Sequence, residues 1–105
     1  YTRSDSTSIS STSASTVATH AIATFRSVNY KVQVTQGTSY YQSEINVVHD
    51  GSTAYITEFG IINTQPSQFG ATFSATINSG NLLLQVAMAS NASATIKVLS
   101  TATTV

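Results

Sequence analysis

Apolar and polar residues alternate along most of this chain, with the two-residue period that is typical of half-buried β-strands. The strictest alternation covers residues 27–35, and no segment shows the 3.6-residue period of an amphipathic helix. In this segment one face is apolar throughout: Val28, Tyr30, Val32 and Val34. Together with it, similar patterns predict seven strands over residues 16–25, 27–35, 40–49, 52–63, 69–78, 82–88 and 94–98.

Turn-forming residues separate these segments at short intervals. Gly37, Asp50-Gly51 and Asn78-Ser79-Gly80 favour tight turns, and Pro66 lies in a loop that we place at residues 64–68 because proline cannot donate to a strand ladder. Short strands joined by hairpins favour antiparallel pairing. The sequence therefore predicts an all-β domain of about seven mostly antiparallel strands, arranged as a jelly-roll-like β-sandwich.

The first fifteen residues differ in composition from the rest. Residues 1–15 are a Ser/Thr-rich tract whose one aliphatic side chain longer than alanine is Ile9, so they offer little for a core. We expect a linker or an extended arm here, either lying along a neighbouring copy or forming a disordered tail. The predicted domains are thus the arm over residues 1–15 and the β-sandwich over residues 16–105, and a chain starting at Tyr1 is expected to be a processed product or part of something longer.

Several predicted strands carry aliphatic residues on both faces. Val48, Ile61 and Leu83 each neighbour another aliphatic residue, whereas a sandwich strand buries one face in the core. Such side chains are either scattered on the surface, which is common, or line a contact between subunits. We favour the second interpretation, and these three residues are our candidate interface.

Charge is scarce, which changes how such a surface stays in water. Four basic and four acidic residues give a net charge of zero, while 17 serines and 17 threonines supply hydroxyls. No basic patch indicates a nucleic acid partner, and no apolar run is long enough for a membrane-spanning helix. Cysteine is absent, which excludes a disulfide framework and thiolate metal ligands.

The ionisable residues do not predict an active site. Glu44 and Glu58 are the two glutamates, and a tight turn centred on Asp50-Gly51 would pair residues whose numbers sum to 101. Glu44 would then oppose Thr57, which places the two carboxylates on opposite faces of the sheet. Glu58 is expected to pair with Arg26 or Lys31 or to face solvent.

The other candidate chemistries are equally weak. His20 and His49 are the two histidines, too few for a metal site with three or four donors, and His49 is better explained as the residue before a turn. No phosphate-binding glycine loop or nucleophile motif occurs. We therefore expect no catalytic residue, no metal and no cofactor.

Tyrosines offer a different kind of site. Tyr40, Tyr41 and Tyr55 could form a platform on which sugar rings stack, although such residues are more often core or cross-strand pairs. If the numbers of paired residues sum to 101, Tyr55 lies opposite Asn46 rather than opposite another aromatic ring. These three tyrosines are nevertheless our candidate glycan contacts.

A succession of motifs resembles a known family. The match is strongest over residues 26–60 and fades to a pattern beyond them, and its motifs are RSVNYKVQVTQG at 26–37, YQSE at 41–44, VHDG at 48–51 and AYITEFG at 54–60. This succession resembles a β-module of virion structural proteins of tailed bacteriophages, particularly phages of marine bacteria and cyanobacteria. In that family it occurs in tail-fibre, neck, baseplate and head-decoration proteins.

The resemblance implies a non-enzymatic structural protein located in the phage particle and, after release, outside the host cell. Its expected partners are further copies of itself, as a homotrimer or larger array, and other virion proteins. A symmetric particle repeats one interface many times, so modest contacts suffice. The alternative is a receptor- or carbohydrate-binding module at a fibre tip, which would bind a host-surface glycan.

Overall fold

The computed structural model describes residues 1–67 and 69–105, which form eight β-strands. Every strand pair in the described part of the chain is antiparallel. The strands are β1 (Thr2–Ile9), β2 (Ser15–Ala21), β3 (Phe25–Gln36), β4 (Ser39–His49), β5 (Ala54–Asn63), β6 (Ala71–Asn78), β7 (Asn81–Met88) and β8 (Ala94–Thr104).

The strands are divided unequally between two sheets. The larger sheet has the order β1-β8-β3-β4-β5 and the smaller one the order β2-β7-β6. The chain crosses between sheets at β1–β2, β2–β3, β5–β6 and β7–β8, whereas β3, β4 and β5 form a meander within the larger sheet. The predicted all-β sandwich is confirmed, with eight strands rather than seven.

The core lies between the two inner faces, because each central strand alternates strictly between buried and outward-facing residues. The apolar face predicted for residues 27–35 is fully buried. The larger sheet contributes residues of β3, β4 and β8, and the smaller sheet contributes residues of β2 and β7. The largest fully buried apolar side chains are Tyr30, Val32, Val34, Ile45, Leu82, Leu84, Val86 and Ile96.

The N-terminal tract is not a separate arm in this structure. Residues 2–9 form β1, which pairs with β8 of the same chain from Thr2 opposite Thr101 to Ile9 opposite Ala94. Ile9 is buried, and the Arg3 side chain donates a hydrogen bond of 2.6 Å to the Thr19 carbonyl of β2. The predicted boundary at residue 15 therefore cuts through the sandwich, since an edge strand needs few apolar side chains when one neighbour supplies its backbone partners.

Further boundaries differ from the prediction. The strand expected over residues 16–25 ends at Ala21, and β3 begins at Phe25 after a turn. Phe69, expected at the start of the fifth predicted strand, is buried but precedes β6, which begins at Ala71. The last strand, expected over residues 94–98, extends to Thr104. Pro66 lies in the β5–β6 connection as predicted, and Gln68 of that predicted loop lies outside the described residues.

The turns follow the local chemistry of their residues. Asn78 pairs with Asn81, so the β6–β7 hairpin closes through Ser79 and Gly80, both with positive φ (53° and 79°), the combination that suits the twist of adjacent strands. The predicted turn at residues 78–80 is confirmed.

The register of the β4–β5 hairpin corrects our prediction. His49 pairs with Ala54, so the loop spans residues 50–53 and paired numbers sum to 103 rather than 101. The cause is the Asp50 carboxylate, which accepts hydrogen bonds from the backbone N–H groups of Ser52 and Thr53 (3.0 and 2.8 Å). This side-chain-to-backbone turn favours a four-residue loop over a two-residue one. The same hydrogen bonds, that to Ser52 first, lower the pKa of Asp50.

Candidate interaction surface

The edge strand β5 is the least covered strand of the larger sheet. It has no fully buried residue, whereas the inner faces of β3, β4 and β8 are buried. The smaller sheet has three strands against five, and Tyr41 of β4 stacks on Phe73 of β6 with ring centroids 6.2 Å apart. Since β6 is the edge of the smaller sheet, no further strand of that sheet lies beyond it, and β6 covers β5 only in part.

Large apolar side chains are exposed along this strand on both of its faces. They are Tyr55 (56% exposed), Ile56 (40%), Phe59 (43%), Ile61 (55%) and Ile62 (63%), and Val48 (45%), opposite Tyr55 on β4, extends the set. We call these six residues the β5 surface. An exposed apolar set of this density on one edge strand is typical of a contact site rather than of scattered surface residues.

The one charged residue on β5 is held by internal hydrogen bonds. Glu58 opposes Ile45 and therefore points to the inner face, where its carboxylate accepts hydrogen bonds from the hydroxyls of Tyr41 and Ser43, both 2.6 Å long. Burial, and then the hydrogen bond to Glu58, raise the pKa of Tyr41. The β5 surface consequently presents no free charge of its own.

The expected partners of Glu58 are engaged elsewhere. Arg26 donates a hydrogen bond of 3.0 Å to the His49 carbonyl, and the Lys31 ammonium lies 4.0 Å from Glu44. The sequence did not show this, because β5 carries apolar residues on both faces and either face could have packed on the core.

A glycine bulge interrupts β5 near its C-terminal end. Glu44 pairs with Phe59 and Gln42 with Ile62, so Gly60 and Ile61 together oppose Ser43. Gly60 has a φ of 65°, the left-handed conformation that such bulges require. The regular pairing segment of β5 is therefore residues 54–59.

The structure brings together two of the three candidate interface residues. Val48 and Ile61 are exposed and lie on neighbouring strands, within the β5 surface. Leu83 lies on β7 between Thr19 and Thr76, on the outer face of the smaller sheet, and is half-buried. The three residues therefore do not form one continuous surface.

The candidate glycan contacts are also separated. Tyr40 and Tyr55 are exposed but lie eight positions apart along the hairpin, since Tyr55 opposes Val48, and this corresponds to roughly 26 Å. Tyr41 is buried and bonded to Glu58, so it cannot contact a surface ligand. The prediction for Tyr41 is wrong, because its strand position faces the core.

Shallow grooves run along the outer face of the larger sheet. One is bordered by Tyr55 and Thr57 and by Asn29 and Asn46, whose side-chain amides bond to each other at 2.7 Å. A second is lined by side chains that include Lys31, Gln42, Glu44, Lys97 and Leu99. The first groove exposes more apolar than polar surface, and it places the Tyr55 ring beside threonine hydroxyls and the two asparagine amides.

The two carboxylates considered for catalysis do not converge. Glu44 pairs with Phe59 on the outer face, and Glu58 points inward on the same hairpin. The register differs from our prediction, but the two side chains still lie on opposite faces.

Both histidines are buried within the sandwich. The His49 Nδ1 accepts a hydrogen bond of 3.0 Å from the Gly51 N–H. Its Nε2 therefore carries the hydrogen and donates it to the Phe25 carbonyl, 2.6 Å away. His20 is buried among the rings of Tyr1, Phe25 and Tyr30. In the two described ranges, no group of three or more His, Cys, Asp or Glu residues is placed to hold a metal ion.

No helix that could cross a bilayer occurs within residues 1–67 or 69–105.

Comparisons with known proteins found likeness in structure but not in sequence. No family model matches the chain, and no curated protein matches it. The fold is shared with part of the tailspike protein of Acinetobacter phage vB_ApiP_P1, with 20% identity, a TM-score of 0.52, and coverage of 98% of this chain and 22% of that one. The tailspike protein of Acinetobacter baumannii phage AM24 matches with 7% identity, a TM-score of 0.43, and coverage of 98% and 26%. The chain thus spans about a fifth to a quarter of the tailspikes it matches.

Proposed function

We propose that this chain is a non-enzymatic structural module of a tailed-phage particle, belonging to its fibre or tailspike apparatus, and that it acts by self-association. The observation that carries the proposal is the β5 surface, six large apolar side chains between 40% and 63% exposed on a domain of zero net charge. The shared fold with a segment of a phage tailspike supports a place in the virion.

Self-association follows from how the rest of the surface is built. Ser and Thr cover most strands, so neither strong repulsion nor a charged partner site works against contact between copies. Apolar side chains exposed on an edge strand gain free energy when a second molecule covers them. A repeated particle can use such a contact many times even when each one is weak.

The proposal excludes enzymatic activity for a geometric reason. Acid–base hydrolysis of a glycan needs two carboxyl groups directed at one bond, and Glu44 and Glu58 point to opposite faces of their hairpin. Tyr41 holds Glu58 against the inner face.

Sedimentation of the purified domain between about 1 and 100 µM, the range in which weak interfaces populate, tests the proposal. We expect concentration-dependent association that Val48→Lys and Ile61→Lys each abolish, because a lysine buried in the contact would lose its hydration. The matched control is Ser74→Lys, at an exposed position on the outer face of β6. Sedimentation of Leu83→Lys tests whether the outer face of the smaller sheet also forms a contact in a larger array.

Circular dichroism of each variant separates loss of assembly from loss of folding. A wild-type chain that sediments as a monomer throughout this range would contradict the proposal. So would a Val48→Lys or Ile61→Lys variant that unfolds, since these side chains would then belong to the core.

A second candidate function, glycan binding at a fibre tip, is favoured by the groove beside Tyr55, which combines an exposed aromatic ring with hydroxyls and amides. Its hydroxyls and amides could bond to sugar hydroxyls while the exposed tyrosine ring packs on a sugar face. A glycan array would detect selective binding, which Tyr55→Ala should remove, whereas Tyr40→Ala, at the far end of the strand, should not affect it.

A further inference from the structure

We infer that two copies of this chain pair edge to edge through β5, antiparallel and centred on Thr57, so that the two five-stranded sheets become one continuous sheet. This inference rests on the proposed self-association and names the contact through which it occurs. The occupant of the β5 edge is thus a second β5.

The free edge of β5 is suited to pairing because the protections that it carries do not block residues 54–59. Natural edge strands are blocked by lysine, proline, bulges or inward-pointing charge. β1, at the other edge of the sheet, carries Arg3 and Asp5, which bond to each other at 3.0 Å. On β5 the one charge, Glu58, is bonded to Tyr41 and Ser43 on the inner face, and the bulge begins only at Gly60.

The exposed apolar area is sufficient for two copies. Half the area of an aromatic side chain is about 100 Å², and β5 carries five large apolar side chains exposed by 40–63%. Two copies therefore bring together on the order of 1,000 Å² of apolar surface, which reaches the lower limit for a specific interface. A partner of opposite charge is not indicated, because the strand offers no free charge to select one.

Residue identity determines the centre of the pairing. Opposed residues in an antiparallel pair share a face, so a two-fold axis through the sheet places one residue opposite its own copy. A centre at Glu58 would oppose two carboxylates, which is unfavourable. A centre at Thr57, beside the midpoint of the regular segment 54–59, places each Tyr55 opposite a Phe59 of the other copy on the outer face, and aromatic cross-strand pairs are stabilising.

The absence of cysteine from the chain permits a sharp test with single-cysteine variants. Opposed residues in an antiparallel pair have Cα atoms about 4.5–5.5 Å apart, within the range that a disulfide spans. Mild oxidation of Thr57→Cys is therefore expected to give a covalent dimer of twice 11.0 kDa. Tyr55→Cys alone and Phe59→Cys alone should not cross-link, since their copies lie roughly 13 Å apart, but a mixture of these two variants should.

Ser6→Cys on β1 and Ser74→Cys on β6 are the controls, since both positions are exposed on edge strands. The wild-type chain could assemble while Thr57→Cys fails to cross-link and Ser6→Cys or Ser74→Cys cross-links instead. That result would overturn the β5 pairing and leave the proposed function intact. A wild-type chain that stays monomeric would instead overturn the proposed function. Self-cross-linking of Tyr55→Cys or Phe59→Cys would show a different centre and contradict Thr57.

A second measurement uses the unmodified protein. Amide hydrogen exchange of residues 54–60 should slow as concentration rises, because pairing protects the free edge, whereas exchange in β1 should not change. If the chain assembles but the amide exchange rates of β5 do not change with concentration, the pairing is contradicted. A two-fold contact closes at two copies, so β5 joins the chains in pairs, and the homotrimer or larger array that the resemblance suggests would need a second contact.

Discussion

His20 is a buried polar side chain whose ring makes no hydrogen bond with the described residues. It is 2% exposed. The rings of Tyr1, Phe25 and Tyr30 surround it, with their centroids 5.5–6.1 Å from the centroid of the imidazole. Burial first, and then the nearby Arg3, lower the pKa of His20, while Asp5 acts in the opposite direction.

This environment makes stability depend on pH. The pKa of His20 is about 6.5 in the unfolded chain and lower in the folded chain. Between these two pKa values, unfolding is accompanied by uptake of a proton. The contribution is therefore fully present above pH 6.5 and is lost as the pH falls, by about 1.4 kcal/mol for each unit between the two pKa values. Urea unfolding at several pH values should show this loss in the wild-type chain.

The variant His20→Phe isolates the effect, because it keeps an aromatic ring in the cluster and removes the titrating group. We expect its stability to fall less than that of the wild type between pH 7.5 and 5. The carboxylates titrate in both chains, so the difference between the two curves reports His20. If the free energies of unfolding of the two chains change equally with pH, folding does not lower the pKa of His20.

The Tyr41 hydroxyl is the counterpart of His20, a buried polar group with a strong partner. Its hydrogen bond to the Glu58 carboxylate should contribute about 1.5–3 kcal/mol, the range for a bond to a charged group. Tyr41→Phe should lower the free energy of unfolding by this amount in urea titrations. Tyr40→Phe, at the neighbouring exposed position, is the control and should stay within about 0.5 kcal/mol. Equal effects of the two changes would contradict this role for Glu58.

At the scale of elements, the bulge at Gly60 determines where the regular part of β5 ends. Gly60 has space around it but a φ of 65°, so a side chain there would be strained by its backbone and not by its neighbours. Gly60→Ala should therefore cost about 1–2 kcal/mol of stability.

The matched control for the bulge is Gly70→Ala. At Gly70 an added Cβ would meet the Ala89 Cβ at 3.6 Å, an ordinary contact, and the backbone is not left-handed. Its effect should lie within about 0.5 kcal/mol. Chemical denaturation of both variants measures the difference, and a Gly60→Ala chain as stable as Gly70→Ala would argue against a strained bulge.

β1 shows how an element can form without a core pattern. Its alternating residues are Ser and Thr with Arg3 and Asp5 between them, and Ile9 is its one buried side chain. The strand exists because β8 offers a free ladder along residues 94–101 and because Arg3 reaches the Thr19 carbonyl of the other sheet. Both reasons are contacts distant in sequence, so local composition favoured an arm.

At the scale of the whole molecule, the lack of charge predicts how assembly responds to salt. The β5 surface has no free charge, and the two ion pairs of the described residues, Arg3–Asp5 and Lys31–Glu44, lie outside it. Sodium chloride screens exposed charges over about 10 Å at 0.1 M but does not weaken apolar contact. The dissociation constant measured by sedimentation should thus remain within roughly twofold between about 0.05 and 0.5 M salt. A steep loss of association at high salt would indicate an ionic interface elsewhere.

The sequence by itself determined the strand class, most of the core and most of the turns. Strict alternation over residues 27–35 and in the row from Leu82 to Met88 predicts which side is buried, because a strand places successive side chains on opposite faces. Glycine and asparagine near residue 79 likewise predict the β6–β7 hairpin from backbone preference alone. The scarcity of charge and the doubled aliphatics at Val48 and Ile61 were visible in the same way.

Only the tertiary structure decided which of these residues meet. The division into five and three strands leaves β5 uncovered, and no local pattern encodes the number of strands in each sheet. The Asp50 turn shifts the hairpin register by two, so that Glu58 opposes Ile45 instead of Ser43, and its carboxylate accepts hydrogen bonds from Tyr41 and Ser43 on the inner face. Strand order and register depend on contacts between residues far apart in the chain, and alternation with a period of two is the same in every order and in every register shifted by two.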